Sequence, residues 1–161
     1  MQPEAPDCLT RARRLGDALT AAAEAVEQTR RIPEPLLTML HEARLFRMFL
    51  PHEFDGDEVP PDHFLLTMEE IARHDASVAW NIFVGNSAAL IAPFLPEETA
   101  RTIYADTRTV IAWGPPHAGT ADADSGGYRV SGTWDFASGC RQANWIGVHC
   151  RVRETDGGLR L

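Results

Sequence analysis

The sequence predicts an α+β fold in two parts: an N-terminal all-α helical domain over residues 1–105, and the beginning of an antiparallel β-sandwich domain over residues 106–161. Up to residue 105, apolar side chains recur at the three- to four-residue spacing of amphipathic helices. Beyond it, short runs of Val, Ile, Trp and Tyr are separated by Gly, Pro and Asp, as in strands joined by turns. The last residues, 156–161, suggest a hairpin turn and the first residues of a returning strand, so we expect a piece of a longer protein.

Five helices are predicted from apolar spacing, prolines and caps. They begin at about Cys8, Pro33, Pro60, Ala76 and Pro96. The first is expected to run unbroken to Gln28, and the second to end near Pro51. Asp75 is a candidate N-cap for the fourth helix. The fourth helix is apolar nearly all round, which predicts a position at the centre of a bundle.

Four strands are predicted in the second part. They cover residues 109–113, 128–131, 133–138 and 145–152. The second and third form a hairpin, and the alternation of side chains along the third puts Trp134, Phe136 and Ser138 on one face. Two rings and a hydroxyl on one surface suit a flat, partly polar heterocycle. The alternative is an ordinary sandwich-core strand with a hydrogen-bonded serine.

The composition excludes several partners and chemistries. The formal net charge is −8 with no basic cluster, which argues against nucleic acid and against an anionic membrane surface. All 15 basic residues are arginine, so these residues contain neither a Schiff-base lysine nor a phosphate loop with its lysine. The three cysteines fit neither a disulfide framework nor a metal site, so we expect no metal and a cytoplasmic location. The apolar stretch 78–95 contains Asn81 and Pro93, which favours a buried helix over a membrane span.

The segment from Gly127 to Cys140 carries a more specific pattern. A Gly-Tyr-x-x-x-Gly turn is followed by Phe136-Ala137-Ser138-Gly139-Cys140. This pattern resembles the start of the β-domain in the acyl-CoA dehydrogenase superfamily, and within it the branch of flavin-dependent monooxygenases that hydroxylate aromatic substrates. Residues 31–33 and 77–80 share the resemblance.

The resemblance implies a function for the whole protein. It would be a flavin-dependent monooxygenase that hydroxylates an aromatic or apolar small molecule through a flavin hydroperoxide. The cofactor would be FMN, supplied in reduced form by a partner flavin reductase, or FAD, and the full-length protein would be a homotetramer. Two alternatives stay open: an acyl-CoA dehydrogenase or oxidase of the same fold, and a non-catalytic interaction module or degenerate paralogue.

The resemblance also implies roles for residues in the strand 133–138. Ser138 would be a catalytic hydroxyl at the reactive edge of the flavin. Trp134 and Phe136 would bind the cofactor by packing against its ring, and Gly139 would let the backbone approach it closely. The alternatives are core packing for the two aromatic residues and a simple bend at the glycine.

The loop at residues 113–120 corresponds to a flavin-contacting loop in the family. We expect cofactor contacts from Trp113 and Pro116, through the backbone at most. His117, in the same loop, is a candidate catalytic residue because its ordinary pKa suits proton transfer. The alternative is a solvated loop histidine.

Two polar residues on the fourth helix, Asn86 and Ser87, are expected to bind substrate. In the resembled monooxygenases a histidine in this neighbourhood faces the substrate pocket, and Ser87 stands in its place here. This difference argues against a phenol-deprotonating base on this helix. The alternative is an internal hydrogen bond between helices, because buried polar groups require partners.

Overall fold

The computed structural model describes residues 7–114, 119–153 and 159–160. The helices come first: α1 (Cys8–Arg13), α2 (Gly16–Thr29), α3 (Glu34–Glu42), α4 (Pro61–Ala72), α5 (Ala76–Ala89) and α6 (Glu97–Tyr104). The strands follow: β1 (Ile111–Gly114), β2 (Gly119–Asp124), β3 (Gly127–Gly132), β4 (Trp145–Val148), β5 (Arg151–Arg153) and β6 (Leu159–Arg160). The predicted order of helices followed by strands is confirmed. A domain boundary between residues 105 and 106 stays a prediction.

The first predicted helix is interrupted. Helix α1 ends at Arg13 and α2 starts at Gly16, so the unbroken helix predicted for residues 8–28 is wrong at this point. A Cβ atom on Gly16 would lie 2.8 Å from Nε2 of His74. A side chain at residue 16 would have to displace this ring, and glycine weakens a continuous helix.

Helix α3 is shorter than predicted. It ends at Glu42 instead of near Pro51, and Arg44 then adopts a φ of 57°. A left-handed residue of this kind ends a helix. The Arg44 guanidinium donates to the carboxylates of Asp55 at 3.2 Å and Asp57 at 2.9 Å, which holds the following segment in a non-helical path.

The three later helices start where the sequence predicts. Pro61 occupies the first position of α4, where its missing N–H costs no hydrogen bond. The Asp75 carboxylate caps α5 by accepting from the backbone N–H groups of Ser77 at 2.8 Å and Val78 at 2.9 Å. Glu97 lies in the first turn of α6, where a negative charge is favourable.

Helix α5 buries one side and exposes the other, which differs from the predicted position at the centre of a bundle. Val78 and Ile82 are fully buried in the core formed with the preceding helices. On the opposite side, Trp80 is 56% exposed and Phe83 is 37% exposed. The apolar surface of this helix therefore faces a surface pocket as well as the core.

The stretch Ala76–Phe94 is the one candidate membrane span in the part of the chain that the structure describes, with a mean hydropathy of 1.2. The α-helix within it is only 14 residues long and ends at Ala89. A membrane-spanning helix needs about 20 residues. The stretch is therefore better explained by the core contacts of α5.

The described strands form two sheets. In the smaller sheet β1 pairs with β4, and Ile111 lies opposite Trp145. In the larger sheet the order is β3-β2-β5-β6. The β1–β4 and β2–β5 pairs are parallel, and the β2–β3 and β5–β6 pairs are antiparallel. The strand predicted over residues 145–152 is divided into β4 and β5.

Residues 133–144, which we call the 133–144 loop, do not form the strand predicted over 133–138. Phe136 has a φ of 59°, a left-handed conformation that does not belong to a strand. The backbone turns repeatedly, as where the N–H of Cys140 donates to the carbonyl of Ala137 at 3.1 Å. Strand β3 pairs with the preceding β2, so the predicted hairpin is wrong.

A buried arginine joins the turn before α4 to the end of α6. The side chain of Arg47 is only 3% exposed, and its guanidinium donates to the carbonyls of Phe54 at 2.6 Å, Asp55 at 2.9 Å and Asp106 at 3.2 Å. Burial lowers the pKa of Arg47, but an arginine pKa is high enough for the group to stay charged. The carbonyl dipoles and the Asp55 carboxylate, 3.8 Å away, compensate this charge.

We predict that Arg47→Met lowers the free energy of unfolding by about 3 kcal/mol, because buried carbonyl groups lose their donor. Urea denaturation of the purified protein measures the effect. Arg73→Met is the matched control, since Arg73 is exposed and pairs with Glu69 on its own helix. The control should change stability by less than about 0.5 kcal/mol. Equal losses in the two variants would contradict the prediction.

Candidate functional site

A pocket of about 300 Å³ lies where α5, β1 and the 133–144 loop meet. Its lining consists of Trp80, Phe83, Val84, Ser87, Ala88, Trp113, Phe136 and Ser138. The five residues from α5 recur at spacings of three and four, so they form one face of the helix. The lining that the structure describes is aromatic and aliphatic with two hydroxyls, and it contains no ionisable side chain. Such a surface suits a flat, uncharged ring system.

Ser138 is held by a neighbour that the sequence analysis did not single out. The indole N–H of Trp80 donates to Oγ of Ser138, with 3.1 Å between Nε1 and Oγ. The Ser138 hydroxyl is itself 3.5 Å from the carbonyl of Phe136, which is too long for a strong hydrogen bond. One acceptor site of the hydroxyl is therefore filled, while its hydrogen is free to turn towards a molecule in the pocket.

Phe136 lies at the rim of the pocket and is 95% exposed. Its left-handed backbone conformation places the ring outside the core. The alternative that the sequence left open for Phe136, packing in a sandwich core, is therefore wrong. A ring this exposed has both faces available for stacking with a ligand.

Two hydrogen bonds from the end of the 133–144 loop fix its position. Nε2 of Gln142 donates to Oδ1 of Asn81 on α5 at 2.7 Å, and Oδ1 of Asn144 accepts from the N–H of Val110 at 3.0 Å. Gly139 has a φ of 83°, and a Cβ atom there would lie 3.3 Å from Oδ1 of Asn81. The glycine thus serves the turn and its contact with α5, and it does not line the pocket.

The two tryptophans of the predicted cofactor set lie in different places. Trp113, on β1, lines the pocket and meets the ring of His149 edge-on, with 5.1 Å between centroids. Trp134 instead covers Gly114 and Gly119, where added Cβ atoms would lie 2.8 Å and 2.3 Å from its ring. The shared face predicted for residues 134, 136 and 138 is therefore wrong: the loop brings Phe136 and Ser138 together and turns Trp134 onto the ends of two strands.

Asn86 is fully buried, and its amide makes structural contacts. Nδ2 donates to the carbonyls of Leu45 at 2.8 Å and Ile82 at 2.9 Å, and Oδ1 accepts from the N–H of Phe49 at 3.1 Å. The amide joins α5 to the segment after α3, so it does not reach the pocket as a substrate-binding group. This is the internal hydrogen bond that the sequence analysis left as the alternative.

Ser87 does line the pocket. Its hydroxyl donates to the carbonyl of Phe83 at 2.8 Å, within the same helix. The hydrogen is therefore engaged, and Oγ offers only acceptor positions to a ligand. Pro116 and His117 lie outside the described residues, and their roles stay predictions.

The sequence analysis missed Trp80 and Phe83. Their rings stack with 5.5 Å between centroids and an interplanar angle of 18°. The signal was present, because positions 80, 83, 84 and 87 share a helical face. The all-round apolar character of α5 concealed it. Among the described residues, no group of three His, Cys, Asp or Glu side chains is arranged to hold a metal ion.

Comparison with known proteins shows the family. Residues 4–105 match the family model described as "Acyl-CoA dehydrogenase, N-terminal domain". This match covers more than half of the chain, and the chain therefore belongs to the acyl-CoA dehydrogenase family. The resemblance inferred from the sequence is confirmed.

Several relatives are named as monooxygenases or hydroxylases, and the name of one specifies FADH2. An indole-3-acetate monooxygenase from Acinetobacter baumannii is 32% identical over 120 residues, which are 73% of this chain and 30% of that protein. The oxygenase component of an FADH2-dependent resorcinol hydroxylase from a Rhizobium species is 26% identical over 81% of this chain and 32% of that protein. The crystal structure of 3-HSA hydroxylase from a Rhodococcus species matches 97% of this chain and 40% of that one, with a TM-score of 0.88 and 25% identity. The chain thus spans between 30% and 40% of the length of these relatives.

We predict that Asn86→Leu lowers the free energy of unfolding by about 2–3 kcal/mol, because it leaves the N–H of Phe49 and the carbonyl of Leu45 without a partner. Chemical denaturation measures the loss. The adjacent Ser87→Ala is the control and should change stability by less than about 0.5 kcal/mol, since its hydroxyl bonds within its own helix. A stable Asn86→Leu protein would show that the amide is not a structural contact.

Proposed function

We propose that this chain forms the helical part and the first β part of a flavin-dependent monooxygenase that hydroxylates an aromatic or apolar small molecule. The observation that carries the proposal is the pocket in which Phe136 presents an exposed ring and Ser138 a hydroxyl whose hydrogen is held only by a weak 3.5 Å contact with the carbonyl of Phe136. The names of the relatives support the same reaction class.

The described pocket fits the flat, partly polar ring of a flavin. When bound, the reduced flavin supplies the chemistry that activates oxygen. Phe136 stacks on or beside the ring, and Trp80 and Trp113 exclude water from its neighbourhood. Ser138 donates a hydrogen bond at the reactive edge. The cofactor is reduced FMN delivered by a partner reductase, with FAD as the alternative that the name of the resorcinol hydroxylase suggests.

The substrate class follows from the absence of ionisable groups in the described lining. A charged group would lose its hydration there without gaining a partner, so the part of the substrate against this wall is uncharged. Ser87 offers acceptor positions only, which favours a ring that carries an N–H or O–H group. We further propose a cytoplasmic homotetramer as the working form.

Oxygen labelling tests the function on the full-length protein. The protein is mixed with reduced FMN or FAD, a set of indoles and phenols, and oxygen-18 gas, and products are analysed by mass spectrometry. One labelled oxygen atom per product molecule supports a monooxygenase. Bleaching of bound oxidised flavin by an acyl-CoA would instead identify a dehydrogenase, and failure to bind either flavin would identify a non-catalytic protein.

We predict that Phe136→Ala weakens binding of reduced flavin about fivefold, because one aromatic stacking contact contributes roughly 1 kcal/mol. Unfolding should change by less than about 0.5 kcal/mol, since the ring is exposed. Anaerobic titration and thermal unfolding measure the two effects. Phe94→Ala is the matched control, because Phe94 is 85% exposed and lies outside the pocket. A similar weakening in both variants would argue against a flavin contact.

We predict that Ser138→Ala lowers the ratio of product formed to oxygen consumed about tenfold, with the missing oxygen released as hydrogen peroxide, because the donor at the reactive edge is lost. An oxygen electrode combined with product analysis measures this ratio. Ser131→Ala, an exposed change on β3, is the control. An unchanged ratio in Ser138→Ala would contradict the proposed role of Ser138 in the reaction.

A further inference from the structure

We infer that Trp80 is a positioning residue, whose indole N–H orients the Ser138 hydroxyl so that it donates into the pocket. The inference rests on the proposed function, because it assigns a partner to the hydroxyl that the proposed reaction uses. Trp80 lies on α5 and Ser138 in the 133–144 loop, 58 positions apart in the sequence. The pair therefore links the helical part of the chain to its β part at the pocket.

In the hydrogen bond between Trp80 and Ser138, only Trp80 can be the donor. An indole nitrogen donates and cannot accept, whereas a hydroxyl has one hydrogen and two acceptor positions. At 3.1 Å from Nε1, Oγ of Ser138 must be the acceptor. The hydroxyl hydrogen cannot point at Trp80, and the carbonyl of Phe136 at 3.5 Å holds it only weakly. A ligand in the pocket consequently meets a donor.

The indole is held firmly enough to act in this way. Its ring stacks on Phe83, whose ring lies 5.9 Å from that of the buried Phe64. The first turn of α5 is fixed by the cap at Asp75. Trp80 is nevertheless 56% exposed, so its ring keeps surface for a ligand while its N–H is engaged.

The orienting role can be separated from simple attachment of the loop. Gln142 donates to Asn81 at 2.7 Å, one residue along α5 from Trp80, and this second hydrogen bond holds the same loop through a different side chain. Trp80→Phe removes the indole N–H but keeps an aromatic ring against Phe83. Gln142→Ala weakens the attachment of the 133–144 loop to α5 but keeps the indole N–H of Trp80.

The test uses the full-length protein with four single variants: Trp80→Phe, Ser138→Ala, Gln142→Ala and Trp145→Phe. The last is a matched control, because Trp145 lies on β4 outside the pocket. The double variant Trp80→Phe/Ser138→Ala completes a cycle. Two quantities are measured: product formed per oxygen consumed, and the thermal unfolding midpoint of the flavin-free protein.

We expect Trp80→Phe to lower the product-to-oxygen ratio about tenfold, as Ser138→Ala does, and the double variant to be no worse than either single variant. The KM for the aromatic substrate should stay within about twofold, because the ring is retained. Gln142→Ala should lower the unfolding midpoint and leave the ratio within about twofold. In the flavin-free protein, the shift in unfolding midpoint of the double variant should differ from the sum of the shifts that Trp80→Phe and Ser138→Ala cause singly.

Two results would overturn the inference and leave the proposed function intact. A normal ratio in Trp80→Phe, alongside non-additive midpoints, would make the bond a structural contact only. Additive losses in the double variant would show that Trp80 acts on the reaction independently of Ser138. A wild-type protein that gives no oxygen-labelled product would instead overturn the proposed function, and the inference with it, so the two failures are distinguishable.

Discussion

The buried guanidinium of Arg47 is the contact on which the placement of the pocket depends. It binds carbonyl groups of Phe54, Asp55 and Asp106, which lie on either side of α4, α5 and α6 in the sequence. The end of α6 is thereby fixed to the turn before α4. Strand β1 starts only a few residues later, so its path across α5 is fixed too, and Trp113 comes to face Trp80 and Phe83. A charged side chain that is fully engaged with backbone carbonyls thus sets the geometry of an uncharged pocket.

The 133–144 loop completes the pocket because contacts to its surroundings replace strand pairing. Gln142 and Ser138 bind side chains of α5, and Asn144 binds the backbone before β1. A regular strand would place alternate side chains on one face and carry Trp134 into the same row as Phe136. The left-handed backbone at Phe136 breaks that row, so one aromatic ring closes over the strand ends and the other remains exposed at the rim.

The sequence predicts best where the determining contacts are local. The starts of α4, α5 and α6 follow from Pro61, Asp75 and Glu97, whose effects act within one turn of the chain. The break between α1 and α2 lies beside the ring of His74, which is distant in the sequence, and the 133–144 loop is bonded to Trp80 of α5 through Ser138. Neither is visible in local alternation. Phe136 and Ser138, to which the resemblance assigned roles at the cofactor, both line the pocket, whereas finding their neighbour Trp80 required the tertiary structure.

Groups on helix α5 determine which hydrogen-bonding role each of the two pocket hydroxyls offers to a ligand. Ser87 donates its hydrogen to the carbonyl of Phe83, so it can only accept from a ligand, whereas Ser138 accepts from Trp80 and keeps its hydrogen to donate to a ligand. Groups on the same helix thus leave one hydroxyl as an acceptor and the other as a donor. The side chains around them carry no charge. A ligand that places an acceptor against Ser87 would find no hydrogen there to bond to. In the proposed site the wall would therefore select orientation as well as shape: a donor on the bound ring system would lie near Ser87, and an acceptor near Ser138.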